Sequence, residues 1–233
     1  MPSTTYATRR GELETYFDRT AVKAWERLTS DAPVSGIRAT VRAGRDAMRA
    51  QLLGWLPADM RGARLLDAGC GTGALALEAA KRGAQVVAID ISPTLVGLAA
   101  ERAAGLHGTG SIDFRVGDMF DPALGHFDHV VGMDCLIHYG AADVVRVLGG
   151  FAARTRNSIL FTFAPASAFL HAFLAVGRLV PRGDRSPAIV PVAEAKLRRL
   201  IAADTALAGW QSGRTQRVSS GFYTSQALEV LPR

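Results

Sequence analysis

The sequence predicts an α/β fold: an open, mostly parallel seven-stranded sheet, closed at one edge by a C-terminal antiparallel hairpin and preceded by an N-terminal helical arm. Three observations carry this. Between residues 64 and 163, short apolar runs alternate with helical patterns, as parallel strands joined by crossover helices do. The first run leads through Gly69, Gly71 and Gly73 straight into an Ala-rich helical segment, which is a strand, a tight turn and a helix in that order. Beyond residue 209, two β-like stretches follow one another with no helix between them.

Taken in order, Leu13, Phe17, Ala21, Ala24, Trp25 and Leu28 recur at helical spacing across residues 11–28, and Asp31, Pro33 and Gly36 end the run. A second helix over residues 37–55 is expected to bury Ile37, Val41, Met48, Leu52 and Trp55. Its other face carries Arg38, Arg42, Arg45 and Arg49, a guanidinium stripe that is either a solvated face or a surface for an acidic ligand. Strand 64–67 then gives way to the glycine turn and a helix over 74–81 that ends at Gly83. Strand 85–89 ends at Asp90, and Ser92 with Pro93 opens the next helix as N-cap and first-turn residue. Strand 112–116 runs into Gly117-Asp118-Met119, strand 129–133 into Asp134, and a helix over 141–153 precedes strand 158–163.

Residues 165–180 read as an apolar helical segment, followed by Pro181, Arg182, Arg185, Pro187 and Pro191. It is too short and too interrupted to span a bilayer. A helix over 192–203 and β-like stretches over 209–218 and 221–223 complete the chain. The division expected is an arm or cover over residues 1–57 and a cofactor-binding domain over 58–233, with 165–191 as a substrate-side insertion or lid.

The 233 residues, 48% of them hydrophobic, suffice for one domain with a full core, and the net charge of +6 favours acidic partners. Cys70 and Cys135 are the two cysteines, and no Cys/His cluster has zinc spacing, so no metal site is expected and a reducing compartment is. The first residues lack the apolar core of a signal peptide, and no uninterrupted 18-residue apolar run occurs. A cytoplasmic protein with room for a peripheral membrane contact is the expectation.

Ligands of open α/β sheets bind beyond the carboxyl ends of the strands, where Asp67, Asp90, Asp118 and Asp134 all fall. Gly69, Gly71 and Ala74 loosely fit a dinucleotide fingerprint, but a carboxylate at Asp67 would repel a pyrophosphate. It would attract the sulfonium and ammonium groups of S-adenosylmethionine, which has no phosphate. Asp90, at the end of the second strand, is placed to accept both ribose hydroxyls. Asp118 could accept from the adenine amino group, and Met119 could give its N–H to a ring nitrogen. Ile91 and Met133, beside the strand ends, complete the expected cofactor set with Gly69, Gly71 and Gly73. His138, a few residues past the fourth strand end, is the side chain best placed to meet a substrate acid. A nucleic-acid-binding module, suggested by the basic balance, lacks an aromatic RNA-binding motif.

Asp67-x-Gly69-x-Gly71-x-Gly73, Asp90 and Gly117-Asp118 resemble the class I S-adenosylmethionine-dependent methyltransferases, with their Rossmann-like fold, over roughly residues 60–165. More narrowly, YFDRTAVKAWERL, MDCLIHY, FTFAP and GFYTSQALE resemble the magnesium-protoporphyrin IX O-methyltransferase family across nearly the whole chain. What that resemblance implies is methyl transfer from S-adenosylmethionine to a propionate of a magnesium porphyrin in bacteriochlorophyll biosynthesis, leaving S-adenosylhomocysteine. It further implies active-site roles for His138 and Tyr16. A magnesium chelatase large subunit handing over the porphyrin is the partner it suggests. The alternative weighed is a methyltransferase for another hydrophobic acid or a quinone.

Overall fold

The structure, a computed structural model, describes residues 4–17, 36–105, 108–166 and 188–233. Helix α1 (Thr4–Thr15) comes first and continues through Tyr16 and Phe17 as a wider turn. Helix α2 (Gly36–Trp55) precedes the alternating units β1 (Arg64–Ala68), α3 (Ala74–Lys81), β2 (Gln85–Asp90), α4 (Pro93–Ala103), β3 (Ser111–Val116), β4 (Phe127–Gly132), α5 (Ala141–Ala152) and β5 (Thr155–Phe163). Helix α6 (Glu194–Ala203) leads to the hairpin β6 (Trp210–Ser220) and β7 (Tyr223–Pro232). The strand order is β3-β2-β1-β4-β5-β7-β6, parallel up to β5 and antiparallel at β7 and β6. This is the seven-stranded class I methyltransferase arrangement that the sequence predicts.

Side chains that alternate along each strand split the core into two layers. Leu66, Val87, Val130, Ile159 and Phe161 face α1, α5 and α6, where Val144, Leu148, Phe151 and Leu197 meet them. Leu65, Val86, Val131 and Leu160 point the other way, onto Met48, Leu52 and Leu53 of α2 and Ala76, Ala79 and Ala80 of α3. Local signals agree with the elements. Ser92 is the N-cap of α4 and its side chain accepts from Leu95 N–H at 3.3 Å, with Pro93 in the first turn.

Two expectations need correction. Ile37 is 58% exposed rather than buried, because α2 begins beyond the sheet and only its later turns, with Met48 and Leu52 wholly buried, lie on the strands. Strand β7 runs to Pro232, well beyond the 221–223 stretch. Its interior position between β5 and β6 buries Gln226 and Glu229, which Arg217 and Arg214 partner, and these polar residues mask the strand in the sequence. The insertion expected over 165–191 lies largely outside the described residues, as do the later turns of the helix read over 11–28.

Candidate active site

The carboxyl ends of β1, β2 and β4 open into one cavity of about 300 Å³. On the first strand's side the chain turns back through Gly69, whose N–H and that of Cys70 donate to the Ile89 carbonyl at 2.8 and 3.0 Å. Gly69 has φ 73°, and a Cβ there would come within 2.5 Å of the Cys135 Cβ, so no other residue fits the turn. Gly69 and Gly71 line the cavity, whereas Gly73 sits behind them as the N-cap of α3.

Asp90 lines the cavity from the end of β2. Its carboxylate accepts from the N–H of Gly71 at 2.9 Å and of Ser92 at 3.0 Å, which fixes its orientation. Burial raises its pKa, and these backbone donors pull it back. A carboxylate has about four lone-pair sites, so acceptor capacity remains for two ribose hydroxyls. Asp90→Ala should therefore weaken S-adenosylhomocysteine binding by roughly ten-fold or more, two charge-assisted hydrogen bonds being partly replaced by water. Calorimetry that finds unchanged affinity removes Asp90 from the cofactor site.

Asp67 does not reach the cavity wall. It is buried beneath the glycine turn, where the Ala76 N–H donates to it, while its Oδ2 meets no donor among the described residues. Burial, and then the charge of Asp90, pushes its pKa up to about 7. A buried, unmatched carboxylate oxygen beside Asp90 makes this a site in want of positive charge, which suits a cationic cofactor. Because the folded pKa lies above the unfolded value, Asp67 favours the folded state fully below about pH 4, and that contribution is lost as pH rises through about 7. Asp67→Asn, which keeps the acceptor for Ala76, should accordingly raise the apo-protein's Tm by several degrees at pH 8 and by clearly less at pH 5, where part of the contribution is still present. Equal shifts at both pH values would contradict the assignment.

The residues expected on the adenine side divide. Ile91, Gly117 and Met119 line the cavity, and Met133 does so from the end of β4. Asp118 does not. Its carboxylate accepts from Tyr6 Oη at 3.0 Å, from the Phe120 N–H at 2.9 Å and from the Arg10 guanidinium. It therefore anchors α1, and Arg10, Leu13 and Phe17 of that arm form part of the cavity wall. Tyr6 is 2% exposed and stacks on Tyr139 at 5.1 Å, so the arm is packed into the domain.

Past β4 the chain passes through Asp134, the one described non-glycine residue with positive φ, at 55°. Such a conformation costs of order 1 kcal/mol or more and persists where the surroundings hold it. Here they do. The carboxylate accepts from Arg45 Nη1 at 2.7 Å, Tyr223 Oη at 3.1 Å, Ser225 Oγ at 3.0 Å and Thr162 Oγ1 at 3.1 Å, and the Asp134 N–H donates to Thr162 Oγ1 at 2.7 Å. Arg45, Asp134 and Tyr223 all line the cavity. The arginine stripe thus breaks up: Arg45 turns inward, while Arg49 pairs with Asp46 on its own helix.

His138 is 5% exposed and lines the cavity, its Nδ1 3.4 Å from the Ala188 carbonyl and its ring 6.3 Å edge-on from Phe17. Tyr16 lies one residue further from it, packed on Phe17 at 5.1 Å and outside the cavity lining. Sequence reasoning overlooked Arg10, Phe17, Arg45 and Tyr223. The inward phase of Arg45, four residues after Val41, is the signal that could have found one of them.

Several known proteins are similar to this chain. A family described as the C-terminus of magnesium-protoporphyrin IX methyltransferase matches residues 132–232, and a general methyltransferase domain matches residues 65–157. Magnesium-protoporphyrin O-methyltransferase of Rhodobacter capsulatus is 51% identical over the full length of both chains. The protein of that name from Synechocystis is 28% identical over 93% of each chain. The crystal structure of the Synechocystis magnesium protoporphyrin IX methyltransferase with bound S-adenosylhomocysteine superimposes with a TM-score of 0.80, at 26% identity, over 97% of this chain and 100% of that one.

Proposed function

Since the chain belongs to the magnesium-protoporphyrin O-methyltransferase family, we propose that it transfers the methyl group of S-adenosylmethionine to a propionate carboxylate of magnesium-protoporphyrin IX, giving the monomethyl ester in bacteriochlorophyll synthesis. The observation that carries the reading is the cavity itself. Its wall carries a carboxylate, Asp90, and a guanidinium, Arg45, among mostly apolar side chains.

S-adenosylmethionine, when bound, supplies an electrophilic methyl group on a sulfonium whose sulfur leaves as a neutral thioether. Asp90, Ile91, Met119 and Met133, with the Gly69–Gly71 turn, hold it at the carboxyl ends of β1, β2 and β4. A propionate is already ionised at neutral pH, so this reaction asks for alignment more than for a strong base. Leu13, Phe17, Ile137 and Ile189 line the cavity and keep water from that carboxylate, which leaves it less solvated and a better nucleophile. Arg45, fixed by Asp134, offers the cavity a guanidinium to which a carboxylate can bind. His138 orients the attacking oxygen. Tyr16 acts through Phe17, whose ring stands against the His138 imidazole.

Delivery of the porphyrin by a magnesium chelatase subunit, and a peripheral contact with an anionic membrane, extend this reading. The net charge of +6 supports the second, and no described helix is long and apolar enough to cross a membrane. Incubation with labelled S-adenosylmethionine and a panel of porphyrins and quinols tests the substrate. Transfer confined to porphyrins bearing free propionates supports the proposal, and transfer to a quinol hydroxyl alone would replace it.

A further inference from the structure

The cavity volume, about 300 Å³, stands at the lower bound of the roughly 300–1,000 Å³ of single-ligand sites. That is room for a nucleoside cofactor and the tip of a second molecule. A tetrapyrrole is larger than the cofactor and does not fit beside it. If the substrate is a porphyrin, its ring must rest outside while one propionate enters.

The surface at the mouth is suited to that. Val41 and Phe222 line the cavity, and Phe222 is nevertheless 54% exposed, so its ring spans the wall and the outside. Ile37 lies one turn before Val41 on α2, on the same helical face, and is 58% exposed. The two are held together by the β6–β7 turn. Gly221 has φ 55° and packs so closely on Thr40 that any side chain there would collide with it, and Thr40 Oγ1 donates to the Ile37 carbonyl at 2.8 Å. Among the described residues three large apolar side chains are exposed, Ile37, Val116 and Phe222, and two of them stand here. Arg38, exposed and adjacent to Ile37, supplies positive charge at the rim.

We propose that Ile37 and Phe222, continuous with Val41 in the cavity wall, form an apolar shelf on which the flat face of the porphyrin macrocycle rests during methyl transfer. The inference rests on the substrate reading above. The shelf places the ring outside and directs one propionate inward toward Arg45 and His138. A second propionate on the same ring edge remains near Arg38.

The test is a titration of magnesium-protoporphyrin IX, followed by its absorbance, into protein saturated with S-adenosylhomocysteine. The Ile37→Ser/Phe222→Ser variant is expected to bind the porphyrin about ten-fold or more weakly than wild type, with S-adenosylhomocysteine affinity and Tm unchanged. Phe222→Trp, which keeps an aromatic face, should retain porphyrin binding. Equal porphyrin affinity in wild type and the double variant overturns the shelf and leaves the substrate reading standing. A parallel loss of S-adenosylhomocysteine affinity also overturns it, by placing both residues in the cofactor site. A wild-type protein that binds no porphyrin overturns the substrate reading and the shelf with it.

Discussion

Replacing His138 by alanine is expected to lower turnover by about 10²-fold or more while leaving S-adenosylhomocysteine affinity nearly intact. The expectation follows from position. Met133 and Asp134 follow β4 into the cavity wall, Cys135 and Ile137 continue along it, and His138, 5% exposed, lines it against Phe17. Its Nδ1 is turned to the Ala188 carbonyl. An ionised propionate only accepts, so His138 can orient it only through a ring nitrogen that carries a proton, and loss of that donor costs alignment in the transition state rather than cofactor binding. Single-turnover rates with both ligands saturating measure this. Near-normal rates in a well-folded His138→Ala protein would remove the residue from the mechanism, and a matching fall in Tm and cofactor affinity would make it structural.

The second large effect is expected at Arg45. Its partner Asp134 has a 6% exposed side chain and Arg45 a 21% exposed one, so the pair is only partly hydrated. Removing one member of a buried pair typically costs about 3–5 kcal/mol because the other is left buried and charged. Here Tyr223, Ser225 and Thr162 still donate to Asp134, which places the cost of Arg45→Met near the lower end, about 3 kcal/mol. For a chain of this size that is a fall in Tm of roughly 6–12 °C. Arg45→Met combined with Asp134→Asn, which removes both charges, should recover part of the Tm without recovering activity. Recovery of both would mean that Arg45 serves the fold alone.

Much of the scaffold was legible in the sequence because local and tertiary signals agree there. The span of α3 and the Ser92 cap follow from spacing and turn chemistry, and the Gly69 turn from the lack of any other residue that fits it. The end of β7 was not legible, because Gln226 and Glu229 are buried by neighbouring strands that supply partners from β6. The lining of the candidate cavity was legible where residues follow strand ends, as with Asp90, Met119 and Met133. It was hidden where two distant segments meet: Asp118 is taken up by Tyr6 and Arg10, more than a hundred residues earlier, and Arg45 by Asp134. Helical spacing groups Arg45 with Arg38, Arg42 and Arg49, and only its place one turn after the apolar Val41 sets it apart from them.

The central claim is that the acceptor is a carboxylate, and the fate of the transferred methyl tests it most directly. After reaction of the protein with methyl-labelled S-adenosylmethionine and magnesium-protoporphyrin IX, the porphyrin product is isolated and treated with mild alkali. Carboxyl transfer predicts that the label enters the porphyrin in equal amount to the S-adenosylhomocysteine formed and is then released as methanol. Label that stays on the product after hydrolysis, as a methyl ether or a methyl on carbon would, contradicts the account.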